Sequence, residues 1–246
     1  MVMSTKNVYV VSGTAFTNIP STSGQDEFIA SEMIPTTSWS SKYIVPPAFP
    51  KSAFMLRIQS RDEILRVNVE NRTHTYSYKP SLSKLYFGNE PVTVIANDSF
   101  SVTQYGVGYD FDNINGDPLM AVVPGVDQYL NDYKFSVPVG YYDVKSYVAI
   151  IIPRLHQTGL TLDGVSMNAY HNGPRKTFNV PYPFDSYVIN VFEIKAGYHH
   201  FAHSLQWIKF GVFVYGLGRH IYLGILYGLG YGFYPGYDLT GTQRKL

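Results

Sequence analysis

Short runs of alternating apolar and polar residues recur along this chain, and they commit it to β-sheet. Phe54, Leu56 and Ile58 share one side of a run whose other side carries Arg57 and Gln59. Leu65, Val67 and Val69 alternate with Arg66 and Asn68, and Phe100 and Val102 alternate with Ser99, Ser101 and Thr103. A period of two fits an extended strand with one buried face. Three further runs do not alternate: Tyr147 to Ile152, Val188 to Ile194 and Phe210 to Tyr215 are almost continuously apolar. Such runs predict strands covered on both faces.

Turn chemistry separates these runs. Asn115-Gly116 and Asp163-Gly164 predict tight hairpins, because both residue types tolerate positive φ. Pro46-Pro47, Pro80, Pro91, Pro138, Pro153 and Pro181 fall between runs, where a missing ladder donor costs little. Helical patterns are weak. Val126, Tyr129, Leu130 and Tyr133 have helical spacing over only two turns, and residues 25–34 fit either state. We read residues 1–246 as one all-β domain, an antiparallel β-sandwich with little helix. Two packed sandwich-like halves meeting near residues 79–91 are the alternative, since Lys79-Pro80-Ser81 and Asn89-Glu90-Pro91 loosen the pattern there.

Composition narrows the functional classes. Charged residues make up 15% and the net charge is +1, which leaves no basic footprint for nucleic acid or an anionic membrane. With no cysteine there is no disulfide, thiolate ligand or cysteine nucleophile. The segment Trp207 to Phe233 is the one membrane candidate, and Lys209, Arg219, His220 and recurrent glycines interrupt it. MVMSTKNVYVV does not read as a signal peptide, because no basic region precedes an apolar core.

Four places invite a chemical reading. Asp110, Asp112, Asn115 and Asp117 form the densest oxygen-ligand cluster, and calcium is the cation such a set would take. It is not an EF-hand: with Asp110 first, position five is Ile114 and position twelve is Ala121. The alternative is a polar hairpin tip. His199, His200 and His203 are the one histidine cluster, and His199 and His203 would share a face if the segment were helical, a usable zinc spacing. Surface or half-buried histidines with ordinary hydrogen bonds are the bland alternative. Asn71-Arg72-Thr73 and Asn97-Asp98-Ser99 are glycosylation acceptors by sequence. The run Tyr227 to Tyr237 is biased to Gly and Tyr. Tyr227, Tyr231, Tyr234 and Tyr237 would either form a sticky interaction surface or pack a bent final hairpin onto the sheet. Trp39 reads as a structural anchor. No nucleophile elbow or phosphate loop is present, and Asp26-Glu27 and Asp62-Glu63 are adjacent pairs whose side chains diverge on a strand. The chain reads as a non-enzyme.

An ordered series of short signatures adds a family likeness. Ser38-Trp39 leads into Tyr43-Ile44-Val45-Pro46-Pro47, and Gly116-Asp117-Pro118-Leu119-Met120 into Val123-Pro124-Gly125-Val126-Asp127-Gln128. Leu162-Asp163-Gly164, Phe210 to Gly216 and Tyr231-Gly232 follow. Together these resemble the IgGFc-binding protein N-terminal domain family. The resemblance implies an extracellular, non-enzymatic module of adhesion, mucus or matrix proteins, with protein partners or self-association and no resident cofactor. It also implies that the chain starts inside the usual family domain, leaving an open sheet edge. Family members usually carry a cysteine shortly before the Gly-Asp-Pro step, whereas Tyr105-Gly106-Val107-Gly108-Tyr109 stands here. The matched motifs shape turns and core, so the Fc-binding of the family name does not transfer with them. A carbohydrate-binding module using surface tyrosines, with calcium assisting, is the alternative function.

Overall fold

The computed structural model describes residues 2–6, 8–21, 27–60, 67–70, 75–78, 83–139, 143–169, 173–222 and 225–239. Its strands are antiparallel throughout. An N-terminal hairpin of β1 (Val11–Thr17) and β2 (Glu27–Glu32) comes first. A seven-stranded sheet follows, made of β3 (Ser40–Val45), β4 (Phe54–Ser60), β5 (Val67–Glu70), β6 (Thr75–Tyr78), β7 (Ser83–Phe87), β8 (Val92–Gly106) and β9 (Met120–Val123). The one-turn helix α1 (Tyr109–Asp112) lies between β8 and β9. The C-terminal half contains β10 (Asp132–Val137), β11 (Asp143–Pro153), β12 (Leu160–Leu162), β13 (Val165–Ser166), β14 (Lys176–Asn179), β15 (Tyr187–Ile194), β16 (Gly197–His203), β17 (Gly211–Tyr222) and β18 (Ile225–Phe233). These form a five-stranded sheet in the order β14-β15-β11-β17-β18 and a four-stranded sheet in the order β10-β16-β12-β13.

The five-stranded sheet is the middle of three layers. Along β11, Tyr147, Ala149 and Ile151 enter one core, and Val148, Ile150 and Ile152 enter another. β15 and β17 divide the same way: Ile189, Val191, Phe213 and Tyr215 join the first core, and Val188, Phe192, Val212 and Val214 the second. The first core faces the seven-stranded sheet through Phe54, Leu56, Ile58, Phe100 and Val102. The second faces the four-stranded sheet through Tyr133, Phe135, Leu160 and Phe201. Continuous apolar runs therefore mark the shared layer. Burying each such Val, Ile or Phe side chain contributes about 1.5–3 kcal/mol. The expected sandwich is present, with one sheet serving two cores.

β8 is long because it does two jobs. Its first half lies between β3 and β5, and its second half between β4 and β9. Val67 and Val69 point into the core as their alternation requires, while Leu65 lies outside the described residues. The ambiguous segment 25–34 supplies β2, and the helical spacing after Val126 yields one 3-10 turn, Val126–Gln128. Residues 79–82, in the loosened stretch 79–91, lie outside the described residues.

The two turn dipeptides part ways. Asp163 and Gly164 take φ of 53° and 78° and join β12 to β13 as a tight hairpin. Asn115-Gly116 is no hairpin tip. It lies in the loop between α1 and β9, where Gly116 is buried, and Asn113 supplies the left-handed turn that ends α1. A neighbouring element, Lys51, claims that loop, and local dipeptide chemistry cannot register such a partner.

Candidate functional site

The N-terminal hairpin is a two-stranded sheet of its own that carries exposed apolar side chains. Two strands alone are marginally stable in water, so β2 is tied down. Its Ile29 enters a small core with Ile19, Met55, Tyr105 and Val107. β1 has no such tie. It pairs with β2 only among the described residues, and every β1 residue but Thr17 is exposed. Sheet edges are ordinarily blunted by Lys, Pro or a bulge. From Val8 to Ile19 the chain has neither a charge nor a proline, and its one irregularity is a shift of register with β2 between Thr14 and Thr17, which leaves Val11 to Thr14 regular. The same hairpin exposes Phe16 at 75% and Phe28 at 70%, and Tyr9, just before β1, is 78% exposed.

Beside β1 lies a groove of about 210 Å³. Ile29, Met55 and Met120 supply apolar lining, and Asn18, Arg57 and Tyr105 supply polar groups. Burial pushes the Tyr105 hydroxyl up, against the charge and hydrogen bond of the Arg57 guanidinium. Asn18 Oδ1 has no hydrogen-bond partner among the described residues.

The acidic loop already holds a cation, and it is a protein side chain. Lys51 Nζ donates to Ile114 O at 2.5 Å, Gly116 O at 3.0 Å and Asp112 Oδ1 at 3.3 Å. Both charged side chains are buried, at 1% and 3% exposure. Asp112 also accepts from the Ser52 and Ile114 backbone N–H groups. Burial lowers the Lys51 pKa, and Asp112 and Asp117 oppose that. Asp110 lies exposed on α1, and Asp117 lies under β18, where a Cβ at Gly228 or Gly230 would overlap it. Of the four predicted calcium ligands, Asp112 is thus committed to Lys51 and Ser52 and Asp117 is covered by β18. Among the described residues no three His, Asp or Glu side chains gather as a metal site.

The histidines sit on strand β16, not on a helix, so the helical zinc spacing does not arise. On a strand, positions four apart lie about 13 Å apart. Each ring has its own partners instead. His199 Nδ1 lies 2.9 Å from Asp163 Oδ2, His200 Nε2 lies 2.7 Å from Asp132 Oδ2, and His203 Nε2 lies 2.8 Å from the His156 carbonyl. For Asp163, burial raises the carboxyl, but the His199 ring and His200 N–H outweigh it and hold the pKa below the usual range.

The tyrosine run is mostly packing. Tyr234 is buried, stacks on Phe213 and bonds Gln104. Half-buried Tyr231 donates to Ser146 Oγ at 2.8 Å and packs against the second core. Tyr237 packs beside Trp39, and Tyr227 pairs with His220 through the backbone. The glycines let β18 pass close over Asp117. Tyr234 and Tyr231 are therefore not a free interaction surface. Trp39 is the expected anchor, with its indole N–H on Ile34 O at 3.1 Å. Asn97 lies exposed on β8, and Asn71 lies outside the described residues. The alternation pattern did not reveal Trp207, 74% exposed in the turn before β17. Its rarity, as one of two tryptophans, was the available signal.

These features define an all-β, three-layer antiparallel module with an N-terminal hairpin that exposes Val11, Phe16 and Phe28. The family model described as IgGFc binding protein matches residues 1–216, and the chain belongs to that family. No curated protein and no solved structure matches the chain. The family points to an extracellular protein-binding module. No helix among the described residues is long and apolar enough to cross a membrane.

Proposed function

We propose that this chain is a non-enzymatic interaction module of the extracellular space, serving adhesion or matrix-type assembly, and that β1 is where a protein partner adds a strand. The observation that carries this reading is an edge free of charge and proline: six exposed residues of β1, with exposed Phe16 and Phe28 on the hairpin and exposed Tyr9 just before it. Added strands gain affinity from main-chain hydrogen bonds and specificity from alternate side chains. A charge-free edge meets no repulsion from its own copy, so a second copy of the chain is the simplest partner. Family membership supports the protein-binding part of the reading.

The proposed interface thus moves from the Gly/Tyr-rich C-terminus to the N-terminal hairpin. β18 is also an edge strand, but it packs near β9 and over Asp117. The test is light scattering across a concentration series, with electron microscopy of the same samples. Defined oligomers or filaments that dissolve on Val11→Lys/Phe16→Lys substitution support the proposal. A wild-type chain that stays monomeric at every concentration removes self-assembly. Oligomers indifferent to the two lysines place the interface elsewhere.

A further inference from the structure

The groove beside β1 differs in chemistry from the strand edge. It is smaller than the roughly 300–1,000 Å³ of pockets for drug-sized ligands, so it suits one ring-sized group. Its described lining includes one cation, Arg57, and no carboxylate, so its charge selects an anion. Ile29, Met55 and Met120 offer an apolar surface. Asn18 carries an amide oxygen that can turn to a ligand donor without breaking a bond among the described residues. Carboxylate, apolar ring face and hydroxyl donors occur together in an acidic sugar.

We propose that this groove binds a single carboxylated sugar residue, such as the terminal residue of an acidic glycan. The carboxylate pairs with the Arg57 guanidinium, whose fork matches two carboxylate oxygens. The ring lies against Ile29, Met55 and Met120, and hydroxyls meet Asn18 and the Tyr105 hydroxyl. This site goes beyond the strand-addition reading, because it takes a small ligand and does not require β1 to be paired.

The test is saturation-transfer NMR and calorimetric titration of the full chain with 3′-sialyllactose, lactose and the carboxylate of an acetylated dialanine. The expected result is binding of sialyllactose, with lactose weaker by about tenfold or more through loss of the charge-assisted hydrogen bonds. Arg57→Gln should reproduce that loss. Thr14→Trp, an exposed β1 position lining the groove, should block binding without touching the core. Melting curves confirm that both variants are folded. Absence of sialyllactose binding overturns the proposal, as does equal binding of lactose. Preferential binding of the dipeptide overturns it too, in favour of a peptide-terminus site. Binding unchanged in both variants moves the ligand out of this groove.

Discussion

Replacing Lys51 by Met keeps the aliphatic stem and deletes the ammonium. The carbonyls of Ile114 and Gly116 then lose their donor, and Asp112 becomes a buried carboxylate without its counter-charge. Removing one partner of a buried ion pair costs about 3–5 kcal/mol. Asp112 retains donors from Ser52 and the Ile114 N–H, so we expect the lower end, about 3 kcal/mol. For a chain of this size each kcal/mol lowers the melting temperature by about 2–4 °C, giving a loss of about 6–12 °C. Scanning calorimetry at neutral pH reads it directly. The double variant Lys51→Met/Asp112→Asn should recover part of the loss, because the stranded charge is gone. A single-variant loss under about 2 °C, or a double variant no better than the single, would refute the claim that Lys51 is the cation of this loop.

Three other outcomes follow from the same geometry. Because the Lys51 ammonium sits on the carbonyls a calcium ion would need, millimolar calcium or a chelator should move the wild-type melting temperature by less than about 1 °C; a larger shift restores the calcium reading. Asp117 is pushed up to about 7, by burial first and then by the charge of Glu27, with Lys51 opposing. A raised carboxyl pKa means that the folded state binds the proton more tightly, so this contribution is present below the unfolded pKa near 4 and is lost as pH rises through about 7. Asp117→Asn should therefore flatten the melting profile between those limits and melt above wild type at alkaline pH, and a variant that melts lower there contradicts the assignment. The Tyr129 hydroxyl is buried without a hydrogen-bond partner among the described residues, so Tyr129→Phe should be neutral or raise stability by about 1 kcal/mol in urea titration; a clear destabilisation would reveal a partner.

Much of the strand pattern was legible in the residues themselves. The alternation at Phe54 to Ile58 set which side chains face inward, and the continuous run Tyr147 to Ile152 announced a strand covered twice. Asp163-Gly164 specified its own turn, because the required positive φ is a property of those two residues. Local periodicity records which side of a strand is apolar but carries no information on which sheet meets that side. The tertiary structure alone decided that β11, β15 and β17 form a shared middle layer. It also decided that Lys51, sixty-one residues before Asp112, enters the acidic loop, and that Tyr234 is core while Phe16 and Phe28 stay in solvent. Likewise the groove at Arg57, Tyr105 and Asn18 joins three distant segments. Burial and charge pairing are set by neighbours brought together across the chain, and only the folded arrangement supplies those neighbours.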